Sequence, residues 1–405
     1  MADLFPFRAL RPTPASAAQV AAVPYDVVNA EEAAALAAGN PLSFLHASRA
    51  EIDLPGDTNP YGDAVYAKAS ENFAALRTAA PLVVEDAPSL YVYRLQMGEH
   101  VQTGVAACFS GDEYDRDLIK KHERTRRDKE DDRTRHMVGL RAQTGPVFLT
   151  YKSEAAVDAV VARTTTSGPL FDFTAPDGVR HTLWRVASAD NAALVAAFAL
   201  VPALYIADGH HRAASAARVR QHLKDAGEAP GERDTFLAVA FPDDQMQVLA
   251  YNRVVKDLAG YTPDTLLAAL RDKLIVKDGP ATPVSKGEVA MFLAGRWYTL
   301  LLAEAPAGSD AASRLDVSRL QDQVLTPLLG IGDVRSDKRI DFVGGARGTA
   351  ELEKLVSSGR HAVAFSMFPV SVDDLMAISD AGGIMPPKST WFEPKLRDGL
   401  LSHLI

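Results

Sequence analysis

ALYIADGHHRAASAARVRQHLKDAG (203–227) is the stretch from which the fold is read. Its first five residues are apolar and read as a buried strand. DGHHR (208–212) interrupts them, and the alanine-rich run that follows predicts a strong helix with Gly227 just past its end. A strand that turns at once into a helix leaves backbone N–H groups unpaired at the helix N-terminus, a ready anion site. The helix dipole supplies only about 0.3–1 kcal/mol, so side chains must provide the rest. Arg212 offers a planar fork for phosphate oxygens, and His210 and His211 can donate hydrogen bonds. Gly209 permits positive φ and close approach of a ligand to the backbone. Asp208 has the wrong sign for phosphate. It makes sense as the holder of a divalent cation bridging phosphate oxygens, or as the group that orients a histidine. The plainer alternative is that Asp208 caps the helix while the histidines face solvent. Two adjacent histidines beside an arginine, after five apolar residues, favour the anion site.

Working outward, SLYVYRLQM (89–97) and HVQTGVAACFS (100–110) are β-rich runs divided by Gly98-Glu99, which predicts a hairpin. FDFTA (171–175) and VRHTLWRV (179–186) flank Pro176-Asp177-Gly178, a second hairpin signal. Helices are expected at 30–38, near 63–79, at 155–165, at 192–200 and near 262–273. Strands are expected at 146–151, 235–241, 247–255, around 288–302 and at 361–368. Hairpins mixed with helices predict an α+β fold with mixed, largely antiparallel sheets and packed helices. The expected regions are 1–155, with a charged helix; 156–285, with the DGHHR strand–turn–helix; and 286–405, a C-terminal α+β region, with two intertwined domains as the alternative.

Composition narrows the function. The chain has 405 residues, 47% hydrophobic and 23% charged, with 43 Lys and Arg against 52 Asp and Glu, a formal net charge of −9. Such a balance argues against holding duplex DNA, which needs clustered cations. One cysteine, Cys108, excludes an intrachain disulfide framework and multi-cysteine metal sites. The start, MADLFPFRALRP, lacks the apolar run of a secretory signal, and the longest apolar stretch, 192–207, is split by Pro202. A cytoplasmic protein with no membrane and no nucleic-acid partner is expected.

The stretches FPFRALRP (5–12), AAVPYDVV (21–28), GNPLSFLHASRAEIDLP (39–55), KHERTRRDKEDDR (121–133), YIADGHHR (205–212) and MPPKSTWFEPKL (385–396) resemble the prokaryotic family of domain of unknown function one-thousand-fifteen. ADGHHR after a strand is similar to the nucleotide-binding turn of the ParB/sulfiredoxin superfamily, and around DGHHR the chain resembles free serine kinases. The resemblance implies a ParB/sulfiredoxin-like nucleotide site in which Gly209, His210, His211 and Arg212 meet phosphate and Asp208 holds a metal. It implies ATP or ADP and Mg²⁺ as cofactors, and a nucleotide and a small-molecule substrate as partners. Those kinases use a glutamate as base, and no glutamate stands at an equivalent distance upstream of Asp208. Cys108 lies in a strand rather than at the turn, so sulfiredoxin's sulfur chemistry is not expected.

The charged segment 112–136 supplies the base candidates. It holds nine acidic and nine basic side chains, and a helical stripe through it reads Ile119, Glu123, Arg126, Glu130, Arg133, Met137. One account is a solvent-facing helix held by internal ion pairs. The other has the stripe lining a polar cleft, with Glu123 or Glu130 accepting a substrate proton. Lys388, Ser389 and Thr390, between Pro387 and Trp391, are candidates for binding a substrate carboxylate or phosphate, or else form a loop docked by Trp391 and Phe392. Tyr25, Asp26, His46, Arg49, Glu51, Asp53, His181, Asn252 and Arg253 read as turn, surface or structural residues. There is no G-x-x-x-x-G-K-[ST], no helix-opening G-x-G-x-x-G and no H-E-x-x-H. The expectation is a nucleotide-dependent phosphotransferase acting on a small hydroxyl-bearing metabolite such as free serine, with Asp208 and His210 among its catalytic residues. The alternatives are a nucleotide-binding switch without turnover and a phosphate-ester hydrolase.

Overall fold

Both expected hairpins form and lie side by side in one sheet. The structure, a computed structural model, describes residues 2–79 and 82–405. Tyr91–Met97 pairs antiparallel with His100–Ser110, and Arg180–Arg185 pairs antiparallel with both Phe171–Thr174 and Tyr91–Met97. The nine-stranded sheet runs in the order Ile119–Lys120, Leu204–Asp208, Val147–Tyr151, Thr235–Pro242, His100–Ser110, Tyr91–Met97, Arg180–Arg185, Phe171–Thr174, with Leu4–Phe5 also paired to His100–Ser110. Two of its pairings are parallel, Leu204–Asp208 with Ile119–Lys120 and Thr235–Pro242 with Val147–Tyr151. The rest are antiparallel, so the fold is mixed α+β with largely antiparallel sheets.

The central strands are apolar because they are covered. Val105, Phe109, Leu149, Ile206, Phe236 and Ala238 are buried in one cluster with Ala213, Val219 and Leu223 of the helix His210–Asp225. Burying a residue such as Leu or Phe contributes about 1.5–3 kcal/mol. The alanines of that helix (Ala213, Ala214 and Ala216 are all buried) let it lie close to its neighbours. No helix among the described residues is long and apolar enough to cross a membrane.

The chain divides into two compact units rather than three consecutive regions: Met1–Met246 with Pro394–Ile405, and Gln247–Glu393. An expected boundary near 155 fails because Val147–Tyr151 and Leu204–Asp208, on either side of it, are hydrogen-bonded neighbours. The boundary near 285 falls inside the second unit's six-stranded antiparallel sheet, ordered Ile275–Asp278, Arg296–Leu301, Glu288–Leu293, Val363–Met367, Tyr251–Val255, Ile340–Gly344. Long-range pairing, which turn chemistry does not report, decided both.

The charged segment also differs from expectation. It is not one helix. Gly111–Asp115 is a short helix, Ile119–Lys120 a short strand, 121–126 an irregular connection, and only Arg127–Leu140 a long helix. The stripe through Glu123 and Arg126 therefore does not exist on a single helix face.

Candidate active site at the strand–turn–helix junction

The strand Leu204–Asp208 slips register against Val147–Tyr151 between Ile206 and Asp208, a bulge that re-aims Asp208 just before the turn. Gly209 follows at φ +92° as the residue preceding the helix, which has no side-chain cap. The helix N-terminus is thus left to its backbone N–H groups, as the sequence predicts.

Arg212 folds back over this turn. Its Cζ and Nε lie 3.0 Å from where a Cβ on Gly209 would be, so the turn needs glycine both for its backbone angle and for space. The Arg212 side chain is 3% exposed. Its Nη1 donates to the Pro146 carbonyl at 2.5 Å, and its Nη2 donates to Asp208 Oδ2 at 2.8 Å and lies 3.6 Å from Asp26 Oδ2. Burial opposes its charge, but Asp26, Asp208 and Asp398 raise its pKa. The expected fork for phosphate oxygens is therefore turned inward, because a buried guanidinium must be paired.

Asp208 receives a second cation. Lys395 Nζ stands 3.4 Å from its Oδ1. Burial would raise the Asp208 pKa, but Lys395 and Arg212 outweigh it and hold the carboxyl below its usual range. An Asp208-held Mg²⁺ does not fit this arrangement. Both oxygens face cations, a divalent ion needs several oxygen ligands, and the described residues contain no group of three or more His, Cys, Asp or Glu placed to hold a metal.

Both histidines of the turn accept hydrogen bonds from the connection 121–126. His210 Nε2 accepts from the His122 backbone N–H at 3.4 Å, and His211 Nε2 accepts from the Arg126 N–H at 3.1 Å. The His122 and His210 rings meet edge to face with centroids 4.4 Å apart. Burial depresses His122 to about 4, and burial with His122 depresses His210 well below the ordinary value, so both are neutral at pH 7. Neutral His210 then carries its proton on Nδ1, 3.9 Å from Glu123 Oε2. An imidazole whose Nε2 already accepts a hydrogen bond is a weaker nucleophile.

The two glutamates part company. Glu130 accepts from the Thr125 hydroxyl and, at 3.3 Å, from Arg218 Nη1, which ties the start of helix Arg127–Leu140 to helix His210–Asp225. Glu123 is 40% exposed and lies against His210. Lys388, Ser389 and Thr390 lie in the second unit, where Ser389 Oγ donates to the Pro386 carbonyl at 2.6 Å and Arg253 Nη2 donates to the Lys388 carbonyl at 3.0 Å. Trp391, next in the chain, packs edge to face on Tyr251.

Several participants were passed over in the sequence. Asp26 is 34% exposed and faces Arg212. Tyr25 lies beneath the Arg133 guanidinium, 4.2 Å from ring centroid to Cζ, and its carbonyl accepts from Arg49 Nη1 at 3.4 Å. Lys395 and Asp398 arrive from the end of the chain, where Asp398 exchanges backbone hydrogen bonds with Ala22. The available signal was that PYDVV, the 39–55 stretch, the charged segment, DGHHR and the C-terminal stretch all carried the resemblance, and here they meet.

Among solved structures, a free serine kinase mutant in complex with AMP matches 69% of this chain and 89% of its own, at 12% identity and a TM-score of 0.35. A conserved hypothetical protein from Pyrococcus furiosus matches 70% and 91%, at 15% identity and a TM-score of 0.34. SbnI with a C-terminal truncation, from Staphylococcus aureus, matches 72% and 85%, at 12% identity and a TM-score of 0.37. At such scores the likeness assigns no residue a role. No protein of curated function matches the chain. The family model described as protein of unknown function, DUF1015, matches residues 4–318, and the chain belongs to that family.

Proposed function

We propose that the turn at Gly209 binds the phosphate of a nucleotide, ATP or ADP, and that the protein transfers a phosphoryl group to a small hydroxyl-bearing metabolite such as free serine. The observation that carries this reading is the uncapped N-terminus of helix His210–Asp225, opened by a positive-φ glycine at the end of a bulged strand. Backbone N–H groups at such a terminus suit phosphate oxygens. In this reading Arg212 acts through space and through the shape of the turn: its Nη groups are directed to Pro146 and Asp208, and its buried Nε–H, beside Gly209, has no hydrogen-bond partner. Phosphoryl transfer depends chiefly on positioning and charge stabilisation, which a rigid, paired cluster supplies. The hydroxyl proton needs an accessible carboxylate. Glu123 beside His210 and Asp26 beside Arg212 are 40% and 34% exposed, whereas Asp208 is held by Arg212 and Lys395 and Glu130 is engaged by Thr125 and Arg218.

One observation favours the second reading, a nucleotide-responsive switch without turnover. His210 and His211 each hold the backbone of 121–126, so a ligand that moved either ring would release that connection. The readings separate in one experiment. The full chain is incubated with ATP or ADP, Mg²⁺ and an amino-acid panel, and products are followed by mass spectrometry alongside thermal shift. A phosphorylated amino acid supports the transferase. Stabilisation by nucleotide with no product leaves the switch, and neither response overturns both.

A further inference from the structure

Asp398 is the one carboxyl of the Arg212 cluster that lacks a cation. It is 2% exposed, and its backbone exchanges hydrogen bonds with Ala22 at 3.2 and 2.9 Å, which fixes it beside the Tyr25-Asp26 turn. Its Oδ1 has no hydrogen-bond partner, and among the described residues no Lys, Arg or His nitrogen forms an ion pair with it. The backbone closes on that oxygen from the other side, since a Cβ on Gly145 would lie 2.8 Å from it. Asp208 has Arg212 and Lys395, and Asp26 has Arg212. Three carboxylates thus share two cations. Arg133, the other cation whose charge acts on Asp398, is directed to Asp132 at 2.9 Å.

We propose that Asp398 regulates anion binding at this site by holding a proton when an anion is bound and releasing it when the site is empty. With Asp398 neutral, Asp26 and Asp208 balance Arg212 and Lys395. With Asp398 ionised, the cluster carries one excess negative charge beside the helix N-terminus that is to receive phosphate. An incoming anion raises the proton affinity of a nearby carboxyl, and by linkage the proton raises the affinity for the anion. The groups that act on Asp398 come from each element around it: Arg212 from helix His210–Asp225, Arg133 from helix Arg127–Leu140, and Asp26 with the Tyr25 backbone N–H from the PYDVV turn. Tyr93, from the strand Tyr91–Met97, also feels its charge. Burial pushes the carboxyl up, Asp26 adds to the rise, and Arg212 and Arg133 oppose it, leaving it at about 7. The inference rests on the reading that an anion binds at Gly209, and ADP is the probe.

Two measurements on the full chain decide it. Carboxyl ¹³C NMR of aspartate-labelled, ligand-free protein is expected to show one carboxyl titrating between roughly pH 6 and 8 that is missing from Asp398→Asn. Calorimetry of ADP binding in buffers of different ionisation enthalpy is expected to show proton uptake. Relative to Asp398→Asn, wild-type affinity is expected to fall by up to about tenfold per pH unit above that titration. The wild-type titration and proton uptake stand without the variant, should it fold poorly. No carboxyl titrating in that window overturns the proposal. ADP binding with the same pH profile in both proteins overturns the role of Asp398 while leaving the nucleotide reading intact. ADP binding to neither, with the titration present, overturns the nucleotide reading and the coupling to it.

Discussion

Gly209 and Arg212 fit one another as a turn and its lid: the guanidinium lies 3.0 Å from the point a Gly209 Cβ would occupy, at a backbone angle of φ +92°. Gly209→Ala therefore meets two penalties. The left-handed backbone costs an L residue about 1–2 kcal/mol. The added methyl also presses on a buried side chain whose partners fix its position. The expected result in urea unfolding is a loss larger than the backbone term alone, together with weaker nucleotide binding. A variant as stable as wild type would show that Arg212 has room to move.

Arg212 itself separates charge from shape. Arg212→Met leaves Asp208 with Lys395 alone and Asp26 with no cation, and breaking a buried ion pair typically costs about 3–5 kcal/mol. Arg212→Lys keeps the charge but cannot reach both Pro146 and Asp208 as the planar fork does. The methionine variant should be the less stable in chemical denaturation, with lysine between it and wild type. Equal losses would mean that the bond to Pro146, and not the charge, is what matters.

Glu123 and Glu130 make a contrasting pair. Glu130→Gln weakens contacts to Thr125 and Arg218 and should lower the melting temperature while affecting turnover mainly through folding. Glu123→Gln removes a partly exposed carboxylate beside His210 and should leave stability within about 0.5 kcal/mol, as for most surface substitutions. If Glu123 is the base, turnover falls about 10²–10⁴-fold. Asp26→Asn, run alongside, shows which of the two accessible carboxylates accepts the proton.

Much of this was readable because it is local. The strand 204–208, the glycine turn and the helix 210–225 follow from five apolar residues, one glycine and an alanine-rich run. Both glycine-marked hairpins follow from the same kind of signal. What was not readable depends on partners far away in sequence. The inward turn of Arg212 requires Pro146, Asp26 and Asp208 to surround it, and no spacing rule brings residues 26, 146, 208 and 395 together. The charged segment misled for a related reason: Glu/Arg periodicity suggests a helix through 121–126, but the His122 and Arg126 N–H groups bond to histidines instead of to helical carbonyls.

Buried histidines set the acid limit of the fold. Burial lowers His122 to about 4 and His210 well below its ordinary value. Burial with Arg133 takes His136 to about 3, and burial with Arg397 takes His181 to about 3. Each is neutral when folded but protonates when unfolded near pH 6.5, so the unfolded state binds more protons below that pH. Their contribution is fully present above 6.5 and is lost as pH falls through the folded values, at about 1.4 kcal/mol per pH unit for each histidine. Asp398 acts in the opposite sense between about 4 and 7, and Glu113, Asp158 and Asp316, which burial also raises, act with it to a smaller extent. The melting temperature should fall steeply from pH 6.5 to 4.5, and His136→Asn should flatten part of that slope. A flat profile in wild type would mean that the imidazoles take up protons in the folded state.

The end of the chain belongs to the first unit's site as much as DGHHR does. Lys395 reaches Asp208, Arg397 pairs with Asp177, Asp398 and Ser402 bond reciprocally to Ala22 and Leu10, and His403–Leu404 forms a strand with Ala142–Gln143. Deleting 394–405 removes all of these at once and uncovers Phe44, against which Gly399 packs. The expected outcome is a first unit that unfolds at lower urea and is no longer stabilised by ADP. Lys395→Met is the sharper test, because it keeps the strand and removes only the cation. Asp208 then leans on Arg212 alone, so its carboxyl should protonate at higher pH, and ADP should bind more weakly while the tail stays protected in hydrogen exchange. Lys395→Arg should restore most of the binding if charge is what Asp208 requires. A methionine variant that binds ADP as wild type does would reduce Lys395 to a packing residue.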